Sequence, residues 1–267
     1  MKTGKGKENA GGEQPVRMRK SLKDYDAVIF DVDGTLYFQR PMRLKMAWKL
    51  GTFYLLHPWR FRELLAVKTF REIRENWKEE ERDQTEENPT EKNQIEGNRT
   101  EACQAGNRAG DGALDWRQYI ATGKKIGLPP RKVKETVERW MYQVPLDLLP
   151  GCQDRMVSGL MEKLRRRGTA VLVYSDYPAE DKLKAMGIRA DRVFCALDPD
   201  MMCLKPDPKG MSHILSAVGF QPDQVLMVGD RYSRDGLSAR NVGADWLILP
   251  PAPGRRKKLL KEIMDEN

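Results

Sequence analysis

The chain has 267 residues, enough for one large domain or a core with a smaller module. Hydrophobic residues are 40% and charged residues 32%, so some segments are expected to be solvated rather than packed, and the net charge of +8 fits an anionic substrate, an acidic surface or nothing specific. Four cysteines without a C-x-x-C pair exclude a disulfide framework, two histidines exclude a His-based zinc site, and no apolar run reaches the ~20 residues of a transmembrane helix.

Residues 1–22, rich in Lys, Gly and Glu, read as a disordered basic arm. This stretch is polar and has no apolar core like that of a secretory signal, so a cytoplasmic location is expected. Ala27 to Phe30 then form a hydrophobic strand that runs into Asp31-Val32-Asp33-Gly34-Thr35. Side chains two apart on a strand share a face, so two carboxylates would stand together where the strand stops. Gly34 lets the backbone turn there. Two like charges so close call for a cation or a proton. This arrangement suits Mg²⁺ binding with nucleophilic or acid-base catalysis.

Residues 40–145 read as a helical module. Leu44, Trp48, Leu55, Leu56, Phe61, Leu64, Leu65 and Phe70 recur near helical spacing, with a break at Pro58. Basic residues outnumber acidic ones here, which fits either solvated helix faces or an anionic leaving group. Trp48, Trp59, Trp77 and Trp116 are expected to hold the module together. Leu50 to Trp59 is apolar beside basic residues, but membrane association is not expected. Residues 78–113 are dominated by Glu, Asn, Gln, Thr and Gly and read as a low-complexity insertion. Helices are predicted again at Leu114 to Ile126 and Pro130 to Tyr142.

From residue 146 to 252 the pattern alternates. Strands at Ala170 to Tyr174, Val193 to Ala196, Val225 to Val228 and Trp246 to Leu249 are separated by helices. This predicts an α/β fold, a doubly wound parallel sheet with an inserted helical cap. In such sheets ligands bind beyond the carboxyl ends of the strands. At those ends fall Asp31 and Asp33, then Ser175, then Gly229-Asp230 with Asp235 following; Lys205 precedes Pro206-Asp207-Pro208 at a helix start. Carboxylates bind Mg²⁺, while a hydroxyl and an ammonium donate to phosphate oxygens. Phosphoryl transfer needs such a set. Residues 253–267 read as a basic tail.

Asp31-Val32-Asp33-Gly34-Thr35-Leu36, Ser175, Lys205-Pro206-Asp207-Pro208 and Gly229-Asp230 with Asp235 together resemble, in order, the four motifs of the haloacid dehalogenase superfamily, in its phosphatase branch with a helical cap of the first type. The resemblance covers residues 24–38 and 146–250 and implies a Rossmann-like core at 23–39 and 146–252. It further implies that Asp31 is the nucleophile that forms an aspartyl-phosphate and that Asp33 is the general acid/base. The metal ligands would be Asp31, the carbonyl of Asp33, Asp230 and Asp235. Ser175 and Lys205 would hold the phosphoryl group, and Gly34 and Thr35 would shape the turn. Dehalogenase and phosphonatase branches lack an acid two residues after the nucleophile, so Asp33 favours phosphate-ester chemistry. Asp176 stands where relatives often carry Asn. The expected function is Mg²⁺-dependent hydrolysis of a small phosphate monoester, with a phosphotransferase such as a mutase, or a non-catalytic binding protein on the same scaffold, as the rivals. No nucleic-acid partner is expected.

Overall fold

A computed structural model of the protein describes residues 15–77 and 113–265. Residues 1–14 of the expected arm and all of the expected insertion except Ala113 lie outside these. The sheet has six strands: β1 (Val16–Arg17), β2 (Ala27–Phe30), β3 (Ala170–Ser175), β4 (Arg192–Cys195), β5 (Val225–Gly229) and β6 (Asp245–Ile248). Their order is β1-β6-β5-β2-β3-β4. All neighbours are parallel except β1, which runs antiparallel to β6.

β2 sits at the centre, with Phe30 level with Val173 of β3 and Val228 of β5. That register brings the chain after β2, β3 and β5 to one edge of the sheet. All four β2 residues are buried. Val28 and Phe30 enter one apolar cluster, Ala27 and Ile29 the other, as alternation requires. Helices α5 (Arg155–Arg166), α6 (Glu180–Met186) and α9 (Pro253–Asp265) cover the first face. Helices α7 (Pro208–Val218) and α8 (Leu237–Val242) cover the second. A strand covered on both faces must be apolar throughout.

Between β2 and β3 lie α1 (Gln39–Leu56), α2 (Arg62–Glu75), α3 (Ala113–Ile126) and α4 (Pro130–Val137). The last continues into a wider turn, Glu138–Gln143. Ala66, Phe70, Tyr119, Val133, Val137 and Met141 form a separate small core that joins α2, α3 and α4. α1 takes little part: only Met42 and Tyr54 of its residues are buried.

Three expectations are corrected. Residues 15–22 are not a disordered arm. β1 extends the sheet, Leu22 is buried, and Arg19 bonds Asp245 through its backbone N–H (2.8 Å) and its Nε (2.7 Å). The tail is not a solvated basic run either. Arg256, Leu260 and Ile263 share a helical face spaced by four and three residues and are buried against the sheet. Finally, Trp48 and Trp59 do not hold the helical module together, because they are 75% and 74% exposed, whereas Trp116 packs at the edge of its core.

Candidate active site

The turn after β2 begins the site. Asp31 N–H donates to Val228 O (2.9 Å), which ties the turn to β5. Gly34 adopts a φ of +101°, and a Cβ there would lie 2.1 Å from Asp230 Oδ2. Only glycine fits, both for its backbone and for its lack of a side chain. Thr35 donates its hydroxyl to Asp31 Oδ2 (3.1 Å), so it touches the expected nucleophile directly.

Lys205 supplies the central positive charge. Its Nζ donates to Asp31 Oδ1 (2.6 Å), Asp235 Oδ1 (2.7 Å) and Tyr174 O (3.2 Å), and the side chain is 1% exposed. Carboxylate oxygens of Asp31, Asp230 and Asp235 lie within 4.8 Å of one another. One ammonium among three carboxylates leaves surplus negative charge. Burial, with help from Asp235, Asp230 and Asp33, pushes the Asp31 carboxyl up to about 8 despite Lys205. Burial and Asp235 push Asp230 up to about 6. Burial alone would depress Lys205, but Asp235 and Asp31 hold its ammonium well above the ordinary range. A divalent cation would relieve the surplus, and the hard oxygens and the gap kept by Gly34 fit one.

Asp33 does not join this cluster. β2 ends at Phe30, so the two-residue alternation no longer governs the carboxylates, and each finds its own lysine. Lys182, on α6, donates to Asp33 Oδ1 (2.6 Å) and Oδ2 (2.7 Å), and the Tyr37 hydroxyl also donates to Oδ1. Burial would raise Asp33, but the Lys182 ammonium and these hydrogen bonds outweigh it and lower its pKa. Gln39 donates its amide to the Asp33 carbonyl (2.8 Å), which retains a second lone pair.

Ser175 ends β3, is fully buried, and accepts from Tyr177 N–H (3.2 Å). Asp176 turns to the backbone, with its Oδ1 accepting from Lys205 N–H (2.9 Å). Its charge therefore shapes the Lys205 loop. The Asp176 carbonyl accepts from the buried Arg74 (2.9 Å), which also pairs with Asp115 (2.7 Å) and so ties α2 and α3 to the sheet. Arg256, 2% exposed, donates to Gly34 O (2.8 Å), Thr35 O (3.2 Å) and Asp154 Oδ2 (3.3 Å), clamping the turn from behind.

Sequence reasoning gave no role to Lys182 and Arg256, and placed Tyr37 and Gln39 only in a flap beside the substrate, not on Asp33. Two of them left a signal. Lys182 falls on the face of α6 that also carries Leu183 and Met186, and Arg256 falls in line with Leu260 and Ile263. A cation in an apolar stripe needs a carboxylate or carbonyl partner.

Residues 25–243 match the family model of haloacid dehalogenase-like hydrolases, and the chain belongs to that family. No curated protein matches the chain. Among solved structures it is similar to a 2-haloacid dehalogenase from Pseudomonas syringae pv. tomato DC3000 (18% identity, TM-score 0.53, covering 90% of this chain and 98% of that one). It is also similar to a predicted phosphoglycolate phosphatase from Haemophilus somnus 129PT (18%, TM-score 0.47, 86% and 87%). A third is CbbY from Rhodobacter sphaeroides in complex with phosphate (15%, TM-score 0.46, 85% and 86%). At 18% identity the likeness to the dehalogenase is one of fold alone. Among the described residues no helix is long and apolar enough to cross a membrane.

Proposed function

We propose that this hydrolase cleaves a small phosphate monoester by way of an aspartyl-phosphate on Asp31. The observation that carries the reading is Asp33: a second carboxylate two residues after the nucleophile, held apart from the acidic cluster by Lys182 and Tyr37. An acid/base for the leaving group and for water must stand free of the metal ligands. In this arrangement it does, and a departing alkoxide needs the proton that a departing halide does not.

Asp31, Asp230, Asp235 and the Asp33 carbonyl would hold Mg²⁺, which when bound supplies positive charge against the phosphoryl oxygens. Lys205 orients Asp31 by its 2.6 Å contact and places a fixed ammonium beside the transferred group. Thr35 holds the other Asp31 oxygen. Asp31 Oδ attacks phosphorus, the phosphorus–oxygen bond of the ester breaks, and Asp33 delivers a proton to the departing alkoxide. Asp33 then takes a proton from the water that cleaves the acyl-phosphate. Lys182 and Tyr37 are positioning residues for Asp33, and its lowered pKa makes it anionic as held. It becomes the proton donor only after that grip loosens in the substrate complex, where burial beside the substrate's phosphate charge raises it and it takes up a proton from solvent or from the monoanionic phosphate. Ser175 is proposed to donate to a phosphoryl oxygen. We also read residues 23–39 and 146–252, with the additions at 15–22 and α9, as the core, and 40–145 as the cap that selects the leaving group.

The test is phosphate release from an aryl phosphate with Mg²⁺, run beside halide release from a 2-haloacid. Phosphate release that chelator abolishes supports the reading. Halide release without phosphate release would assign the dehalogenase branch. Tight phosphate binding with neither product would make the chain a binding protein.

A further inference from the structure

We propose that α1 and the turn after it form a docking face for an anionic phospholipid surface. Leu44, Trp48 and Leu55 lie four and seven residues apart, so they share one face of α1, and they are 74%, 75% and 82% exposed. Leu56, Trp59 and Phe61 continue the exposed apolar surface into the turn at Pro58–Arg60 and on to the start of α2. Isolated exposed apolar residues are ordinary, but six large ones within eighteen positions are a patch that an aqueous surface rarely keeps.

Charge selects the occupant. From residue 39 to 62 the sequence contains Arg40, Arg43, Lys45, Lys49, Arg60 and Arg62 and not one Asp or Glu. Arg40, Arg43, Lys45 and Arg62 make no ion pair among the described residues: Arg43 bonds the Gln39 amide, Lys45 the Gly151 carbonyl and Arg62 the Ile126 carbonyl. Lys49 reaches only an exposed Asp147 at 4.0 Å. A second copy of the chain seated on this face would bring cations against cations. Residues 78–112 offer carboxylates but little apolar bulk, with Ile95 their largest aliphatic side chain, so they cannot fill a face of Trp and Leu. An anionic bilayer meets both demands. Tryptophan and leucine enter the headgroup–acyl boundary while Lys and Arg stay among phosphates, the stems lying along the apolar surface. α1 starts two residues after Tyr37, which bonds Asp33, so such docking would hold the catalytic edge close to the lipid surface.

The test uses the full chain and vesicles of phosphatidylcholine with and without phosphatidylglycerol, read by co-sedimentation and by tryptophan emission. The proposal expects partition onto the anionic vesicles at least about tenfold above that onto phosphatidylcholine alone, released by salt, with a blue-shifted emission. Trp48→Ser with Leu55→Ser should cut partition by about tenfold or more, equal to about 1.4 kcal/mol, without changing the thermal midpoint. Arg40→Gln with Arg43→Gln should weaken binding to anionic vesicles only. No partition at low salt, or partition that the Trp48/Leu55 pair leaves intact, would overturn the proposal. So would a concentration-dependent dimer that this pair abolishes, because the face would then cover a second copy.

Discussion

The sheet edge and the helical segment both pair their buried charges, as Arg74 with Asp115 shows, but differ in the balance of their uncharged polar groups: on the sheet side only Tyr174 Oη and Ser238 Oγ go unpaired among the described residues. At the edge, each buried cation is paired, Lys205 with Asp31 and Asp235, Lys182 with Asp33, Arg256 with Asp154 and three carbonyls, and the surplus negative charge is gathered at the cluster with Asp230. In the helical segment, Trp116 Nε1, Thr122 Oγ1 and both amide atoms of Gln118 are buried without a hydrogen-bond partner among the described residues. Closed charge networks fix geometry and are costly to open. Unpartnered groups cost free energy without fixing anything. The contrast places rigidity where the proposed chemistry needs atoms held, and leaves the helical segment as the part whose sequence can change cheaply.

The hardest test of this contrast is Asp31→Asn. The change is isosteric and leaves the Lys205 and Thr35 contacts able to form, so the fold should survive. Turnover should drop by about 10⁴-fold or more, since the amide cannot attack phosphorus. Single-turnover phosphate release checks this, and retention of a tenth of the activity would remove Asp31 as nucleophile.

Next in size is Lys182→Met, which keeps the volume and removes the ammonium. It leaves the partly exposed Asp33 carboxylate with only the Tyr37 hydroxyl, and at neutral pH the loss should be about 3 kcal/mol of stability. The sign in pH follows from the lowered Asp33 pKa. The pair's contribution is present above the ordinary carboxylate value near 3.8 and is lost as pH falls through the folded value. The gap in thermal midpoint between wild type and variant should therefore narrow on acidification below about pH 4. A gap independent of pH would mean that packing of the lysine stem, not charge, is what was lost.

These residues also show what sequence could and could not reveal. The strand-end set was legible because its chemistry restricts residue identity: Gly34 is forced by a φ of +101° and by Asp230 against it, and the carboxylates sit where parallel strands stop. Lys182 was not legible, because a lysine in a short helix is solvated by default, and its partner lies 149 positions earlier. The same holds for Arg256, whose basic neighbours hid its place on an apolar face. For α1 the periodicity gave a true apolar stripe, yet periodicity marks a face without saying whether protein covers it. β1 was lost in a polar composition because a two-residue edge strand needs only backbone pairing and the Arg19–Asp245 contact.

Arg256→Met tests the clamp behind the turn. Asp154 keeps its bonds from Met156 N–H and Val157 N–H at the start of α5, so its carboxylate is not left bare. The cost should be smaller than for Lys182, about 2–3 kcal/mol from the lost charged hydrogen bonds. Because Gly34 O and Thr35 O lose their donor, kcat should fall while urea unfolding stays cooperative. A variant that loses stability but keeps full kcat would separate the clamp from the geometry of the turn.

The smallest effect is expected in the helical segment, and its sign is the informative part. Gln118 lies fully buried in α3 with neither its amide nitrogen nor its carbonyl oxygen paired. Thr122, one helical turn on, is equally buried and its hydroxyl is also unpaired. Burying a primary amide without partners costs about 1–3 kcal/mol, whereas a methionine of similar length fills the space with no polar debt and has good helix propensity. Gln118→Met should therefore raise stability by about 1 kcal/mol, read as a higher urea midpoint at unchanged slope. The same exchange of a polar for an apolar side chain at Lys205 would be strongly destabilising, because Asp31 and Asp235 would both lose their cation. If Gln118→Met instead destabilises by a comparable amount, the amide is bonded in solution, through water or a nearby group, and the helical segment is as fully satisfied as the sheet edge. The difference between the two regions would then lie in charge alone.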